Sequence, residues 1–382
     1  MDTQQFDFVV IGGGIFGCYA ASYLSKKGAK IALLEKESRL FRKASLVNQA
    51  RLHSGYHYPR SLATAALSDE HKERFTSEHR QFVHSSFEKY YAIDRFGSFT
   101  DPLQFERFCS RIHIPFKRIN EHALFNFNRL EALYLTEEHS FDPVLLSRYY
   151  SAMVENDPNI EVFLDVQLQN ALPDGVNWRI EFTRNSTLPS PSPSIRLVAP
   201  TVINATYAAT NAVNTMFGVD RLALTHELSE IAFVVSREFG DRGLTVMDGP
   251  FGSIMPYGLS GLLSLSSVAY THHKISYDDL PQFDCQVAED PSCRPAAPGI
   301  CTDCPRRPMS NAAKMLAQMR QYFSESVQFE HLFSYYTIKS KLKSSYIDDG
   351  RPTEISMLRQ SPRFYCLFSG KINSIYEVEK IV

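Results

Sequence analysis

The sequence has one tryptophan, no long apolar run and almost no net charge, and each shortage excludes something. No stretch reaches the roughly 18 consecutive apolar residues of a helical membrane span, so no membrane span is expected. A formal charge of −2 gives no overall attraction to nucleic acid or anionic lipid, and neither is expected as a partner. No charged segment followed by a long apolar stretch opens the chain, and a strand pattern already begins at Phe8. A cleavable leader is therefore not expected, and the default location is cytoplasmic. Seven cysteines, an odd number in a long chain, do not read as a disulfide framework. There is no internal repeat.

What is present is ordinary globular material. Of 382 residues, 44% are hydrophobic and 21% charged, enough for a substantial core and, by length, for two or three domains. Aromatics are 12%, nearly all Phe and Tyr. They suit an apolar pocket as well as a core.

The most informative stretch is near the start. Phe8-Val9-Val10-Ile11 runs into Gly12-Gly13-Gly14-Ile15-Phe16-Gly17, then an Ala-rich helical pattern to Gly28, then Ile31 to Leu34, ending at Glu35 and Lys36. This order is strand, glycine turn, helix, strand, acid. Gly12 turns the chain off the strand, Gly14 admits a pyrophosphate to the backbone, and Gly17 lets the helix pack on the sheet. The helix N-terminus offers N–H groups and partial positive charge to phosphates. Glu35 stands where an acid accepts ribose hydroxyls. Dinucleotide binding follows; an ordinary βαβ unit with a Gly-rich turn is the alternative.

Past a basic loop comes Asn48-Gln49-Ala50-Arg51-Leu52-His53-Ser54-Gly55-Tyr56-His57-Tyr58-Pro59. His, Tyr and Arg beside glycine point to cofactor or substrate contact. Ser61 reads as the cap of a long helix carrying Phe75, Phe82, Val83 and Phe87, and Phe96 to Phe99 as a strand. Asp101-Pro102 and Asp142-Pro143 read as helix starts, Asp capping and Pro in the first turn. Strands are expected at Ile160–Leu164, Trp178–Phe182, Ile195–Val198 and Thr201–Thr206. Alternating runs at 231–235, 244–247, 253–257 and 262–270 suggest an antiparallel sheet. A helix from Ser310, a strand from Phe333 to Leu342, a strand over Phe364–Phe368 and a short closing helix complete the chain.

The ordered set resembles the FAD-dependent amine and hydroxy-acid oxidases of the D-amino-acid oxidase superfamily, near glycine oxidase and L-2-hydroxyglutarate dehydrogenase. The glycine turn with Glu35 is similar to that family's ADP-binding unit. Leu52 to Pro59 with Ser61-Leu62 resembles the segment running along the flavin. Val166 resembles the backbone contact to adenine, and Asn204-Ala205-Thr206 the strand end near FAD. Gly370-Lys371-Ile372 resembles the start of the last helix, aimed at the isoalloxazine ring. Two departures stand out. Tyr207 occupies a position that is usually Gly, and the arginine that usually binds a substrate carboxylate is replaced near Lys339 or Lys341.

The resemblance implies an α/β plus α+β architecture. A Rossmann-like FAD domain (1–90, 137–222 and 344–382) would carry an inserted antiparallel-sheet substrate domain (91–136 and 223–343). It implies dehydrogenation of a C–N or C–O bond in a polar amine or 2-hydroxy acid, acidic ones included, with electrons passed to dioxygen or another acceptor. An NAD-dependent enzyme, or an FAD-binding protein without turnover, are the alternatives. Expected catalytic groups are His53, His57 and Lys371; Lys371 with its backbone would stabilise charge on the reduced ring. Expected substrate contacts are Arg51, Tyr56, Tyr257, Lys339, Lys341 and Arg351. Cys285, Cys293, Cys301 and Cys304 raise a structural metal, since Cys301-x-x-Cys304 has a ligand-like bite; free thiols in a loop are the alternative.

Overall fold

A computed structural model describes residues 3–56, 71–184, 193–290, 292–343 and 354–381. His57, Arg351, the Ser61 cap and the Asp348–Pro352 turn lie outside the described residues.

The strand Phe8–Ile11 is apolar and largely buried because helices and a second sheet cover both faces of its sheet. That sheet has six strands, ordered Ile160–Phe163, Ile31–Leu34, Phe8–Ile11, Thr201–Asn204, Arg363–Phe368 and Glu354–Gln360. All pairs are parallel except the last. The chain leaves Phe8–Ile11 through the helix Ile15–Ser25 toward Ile31 on one side, while Thr201–Asn204 pairs on the other. The glycine turn therefore sits at the switch point of a parallel sheet, where a crevice opens. A four-stranded sheet (Thr3–Gln5, Ile195–Ala199, Asn177–Arg184, Val166–Asp174) packs its Trp178, Ile180 and Phe182 with Val9, Ile11 and Val202.

The largest sheet has nine strands. Its order is His272–Ser276, Leu224–Val235, Leu263–Ser267, Gly252–Pro256, Gly243–Val246, Lys89–Asp94, Leu130–Thr136 and Phe116–Ile119. Glu330–Leu342 pairs along the whole of Leu224–Val235. The sheet is antiparallel with one exception: Gly243–Val246 runs parallel to Lys89–Asp94. These two strands come from chain segments far apart in sequence, so no hairpin dictates their direction.

The Asp-Pro helix starts form as expected. Asp101 caps Pro102–Arg111 in a capping box with Gln104, and Asp142 accepts from Val144 and Leu145 at the head of Pro143–Glu155. Two local readings are corrected. The helix expected to run through Phe87 ends at Glu78; a 3-10 turn covers Arg80–Phe82, and Val83 pairs with Phe141 in a small sheet. Phe96–Phe99 is a turn, because the Asp94 carboxylate accepts from Phe96 N and Ser98 Oγ donates to Met247 O. Side-chain hydrogen bonds to the backbone outcompete a ladder there.

Candidate active site

At the glycine turn the need for glycine is steric. Gly12 has φ +109°, and a Cβ on it would lie 2.7 Å from Ala205 O. A Cβ on Gly17 would lie 1.8 Å from Gly12 O, so Gly17 serves helix-to-strand packing and does not itself line the cavity. A Cβ on Gly14 would meet only the Ser45 side chain. The helix begins at Ile15 with Gly14 as its N-cap and no acid in its first turn. Ser45 Oγ accepts from Ile15 N at 3.0 Å, from 30 positions away.

Glu35 lies alongside. Its carboxylate accepts from Gly13 N at 2.6 Å and Glu37 N at 2.9 Å. Burial raises its pKa, against Lys43 and these two N–H groups. A carboxylate has about four acceptor sites, so two remain for ribose hydroxyls. Lys36 lines the same space, but its amine donates to the carbonyls of Ala297 and Pro298 at 3.0 and 3.1 Å. With Lys43, which also donates to Pro298 O, and the Arg42–Asp303 ion pair at 2.6 Å, it ties residues 297–303 across this end of the cavity.

The cavity is about 1330 Å³, larger than the roughly 300–1,000 Å³ of a small-ligand pocket. It runs from the glycine turn and Glu35, past Val166, Ala205 and Thr206, to Asn48, Gln49, Ala50, Arg51 and His53, and it reaches Gly370, Lys371 and Ile372. A glycine cradle closed to side chains, a helix N-terminus and an acid beside it fit a dinucleotide such as FAD. The closing 3-10 helix, Ile372–Ile381, starts at the cavity wall.

Arg51 is placed by strand pairing. Arg51–Leu52 pairs with His139–Phe141, which brings Glu138 next to it. The Arg51 and Glu138 side chains are 2% and 0% exposed, with Nε 3.5 Å from Oε2. Arg51 donates to Thr245 Oγ1 at 2.8 Å and to Ser253 Oγ. Tyr91 OH donates to Glu138 Oε2 at 2.8 Å, and His53 Nδ1 lies 3.9 Å from Oε1. Gln49 donates to Ser266 Oγ at 2.6 Å. Arg51, His53, Thr245, Ser253 and Ser266 all line the cavity: one end is a cationic, hydroxyl-rich floor. Lys339 and Lys341 line it also, on a strand whose neighbour supplies Glu227; Lys341 Nζ is 2.6 Å and Lys339 Nζ 4.0 Å from that carboxylate. His272 joins them, 3.4 Å from Glu227 and 2.9 Å from Ser229 Oγ.

Several expected contacts lie elsewhere. Leu52 is fully buried in the core beside Phe75 and Phe141, since alternation along its strand turns it away from Arg51. Tyr56 is fully buried against Tyr91, its hydroxyl donating to Pro115 O. Tyr257 packs on Phe233, its hydroxyl donating to Leu46 O at 2.5 Å. Asn204 is fully buried; its amide donates to Thr210 O and Asn214 Oδ1, and its carbonyl accepts from Thr206. It shapes the turn after the strand and does not line the cavity. The four cysteines are free thiols, and among the described residues no group of three or more His, Cys, Asp or Glu is placed to hold a metal ion. The metal expectation is corrected accordingly. Cys293 Sγ accepts from Gly299 N at 3.3 Å, and burial and the neighbouring thiols push Cys301 up to about 12.

Tyr207 answers its own anomaly. Its φ is +53°, a conformation that favours glycine. It is held by stacking on Phe368 at 5.4 Å and by its hydroxyl bonding both Ser340 O and Ser340 N.

Residues 7–261 match the model of a family described as FAD dependent oxidoreductase. The chain belongs to that family. The FAD-dependent monooxygenase FPY4 of Fusarium mangiferae is similar over 371 residues at 23% identity, covering 96% of this chain and 87% of that protein. Mitochondrial L-2-hydroxyglutarate dehydrogenase of Caenorhabditis elegans is 42% identical over 72 residues, 18% of this chain and 17% of that one. The crystal structure of glycine oxidase from Geobacillus kaustophilus shares the fold, with a TM-score of 0.70 at 12% identity, covering 98% of this chain and 92% of that one. This FAD-dependent oxidoreductase thus has the Rossmann-like architecture with a sheet-based second region. Among its described residues no helix is long and apolar enough to cross a membrane.

Sequence reasoning missed Ser45, Glu138, Thr245, Ser253 and His272. Each is an ordinary polar residue locally. Only the folded chain brings Ser45, Thr245, Ser253 and His272 onto one cavity and sets Glu138 behind it, against Arg51.

Proposed function

We propose that this protein oxidises a C–N or C–O bond in a small polar metabolite, an amine or 2-hydroxy acid that carries an anionic group. One observation carries the reading: a single cavity joins the glycine turn and Glu35 to the Arg51 floor. Dinucleotide and substrate can then lie end to end in one continuous space. FAD, when bound, supplies the hydride acceptor. Gly12, Gly14, Ile15, Phe16, Glu35, Val166, Ala205 and Thr206 hold its ADP half, and Asn48, Gln49, Ala50, Gly370, Lys371 and Ile372 its reactive half. Arg51 orients the substrate anion. His53 is the proton acceptor, its Nδ1 3.9 Å from the Glu138 carboxylate. Lys371 places a cation at the cavity wall where the reaction leaves negative charge. We assign residues 1–90, 137–222 and 344–382 to the FAD domain and the remainder to the substrate domain, with Lys89 and Tyr90 carried by a strand of the nine-stranded sheet. The electron acceptor is dioxygen or another oxidant.

The test is anaerobic mixing of the yellow holoprotein with a panel of amines and 2-hydroxy acids. Bleaching of the flavin band by an anionic member, and not by its uncharged analogue, is expected. Failure across the panel leaves an FAD-binding protein without turnover. A second reading, oxygen insertion, is favoured by the monooxygenase similarity across 96% of the chain. Label from ¹⁸O₂ in the product, in place of hydrogen peroxide release, would select it.

A further inference from the structure

Lys89 is a fully buried lysine outside every sequence motif. Its stem fits because Gly243 has no side chain: a Cβ there would lie 2.8 Å from Lys89 Cδ, with Met255 and Phe87 close by. Its amine donates to Thr245 Oγ1 at 2.6 Å and lies over the Tyr91 ring at 4.9 Å. Thr245 Oγ1 also accepts from Arg51 at 2.8 Å. With both lone pairs engaged, the Thr245 hydroxyl proton goes to Ser253 Oγ, 2.8 Å away. Ser253 Oγ accepts from Arg51 as well. Its own proton has the Leu244 carbonyl at 3.3 Å, a long bond that an acceptor in the cavity would better.

The sequence of donors therefore runs one way: Lys89 to Thr245, Thr245 to Ser253, Arg51 to both, and onward into the cavity. The charges are unequal. Among the described residues the charges around Lys89 are Arg51 and one carboxylate, Glu138, which also accepts from Tyr91 and faces His53. Burial, and next the Arg51 charge, push the Lys89 amine well below the usual lysine range, against a smaller pull from Glu138. A second negative charge beside Thr245 and Ser253 would reverse that balance.

We propose that Lys89 is a positioning residue behind an anion subsite made by Arg51, Thr245 and Ser253, and that the substrate's anionic group binds there together with one proton taken up by Lys89. The inference rests on reading this end of the cavity as the substrate side. The ligand chemistry is a carboxylate or phosphate group. The binding step is simple acid–base: Lys89–NH₂ gains a proton from solvent as the anion enters, and no bond to carbon changes.

Calorimetry of the FAD-loaded protein at one pH, in two buffers of different ionisation heat, reads the proton count directly. Glutarate and inorganic phosphate are titrated in separate arms, which distinguishes carboxylate from phosphate. Uptake of about one proton per anion is expected for the anion that binds. Lys89→Met should weaken that anion about tenfold and abolish the uptake. Lys89→Arg, always charged, should keep the affinity and also lose the uptake. Binding without proton uptake in the unmutated protein, which needs no variant to fold, overturns the proposal, as does unchanged uptake in Lys89→Met. No binding of either anion overturns the subsite itself. Flavin bleaching by the substrate panel, measured separately, judges the oxidoreductase reading.

Discussion

Gly17→Ala is the sharpest perturbation, because two effects of opposite sign compete in it. Gly17 lies inside the helix Ile15–Ser25. On helix propensity alone, alanine should stabilise by about 0.5–1 kcal/mol. The added Cβ would lie 1.8 Å from Gly12 O, 3.1 Å from Gly12 C and 3.4 Å from Val10 Cγ1. A carbon of this kind does not approach a carbonyl oxygen closer than 3.0 Å, so a gap of more than 1 Å must open. The strand end cannot yield easily: Gly12 N is bonded to Leu34 O at 2.8 Å, and Gly12 is pressed against Ala205. The helix must lift, loosening the packing of Cys18, Ala21 and Leu24. Overpacking of this sort costs about 1–3 kcal/mol; with the gap exceeding 1 Å the cost falls in the upper half of that range, so the clash wins and the net destabilisation is about 1–2.5 kcal/mol. The same movement disturbs the glycine turn that we propose holds the cofactor's phosphates. The assay is the ratio of flavin to protein absorbance after purification, with the thermal midpoint of the apoprotein. Gly28→Ala is the control, since its Cβ meets nothing within 4 Å and only its φ of +88° is strained. It should lose stability by a similar amount and keep its flavin. Full flavin content and an unchanged midpoint in Gly17→Ala would refute the reasoning.

Other predictions follow from the same geometry. Glu138→Gln leaves the buried Arg51 without a counter-charge, so thermal unfolding should show destabilisation of about 3–5 kcal/mol; Arg51→Met with Glu138→Met should cost less than the two single changes added together. Burial alone would raise the Glu227 pKa, but Lys339, His272 and Lys341 outweigh it and hold the carboxyl low. A depressed folded value contributes stability at neutral pH that is lost as pH falls through it, so Glu227→Gln should flatten the acid limb of a midpoint-versus-pH curve below about pH 4.5. Three cysteines are buried and four half-buried, so a thiol reagent should modify at most four in the native protein and all seven after unfolding. Fewer than seven in the unfolded chain would reveal a disulfide.

The features that could be read from residues alone are those enforced by neighbours in sequence. A strand running into Gly12-Gly13-Gly14, a helix, and a strand ending at Glu35 need no distant partner to be recognised, because each glycine answers a local steric demand. Asp101 and Asp142 cap helices for the same reason: the N–H groups that donate to them are two or three residues away. The family resemblance extended this, placing Val166, Ala205 and Gly370 on the course of one cofactor. Misreadings arose where a local pattern had more than one solution. Phe82 and Val83 fit a helical stripe until Phe141 offered a strand to pair with. Tyr56 and Tyr257 had the composition of a pocket and the burial of a core. Arg51 and His53 were legible in the floor of the cavity, but the partners that hold them were out of reach. Arg51 meets Glu138, and Lys89 meets Thr245, 156 positions away, only because strands from separate segments align. A buried charge must find its partner wherever the chain delivers one, and that delivery is a property of the folded sheet. The sequence by itself determined the glycine turn and the acid beside it, because each answers a local demand; the tertiary structure alone decided which charges line the cavity next to them, because distant strands deliver those charges.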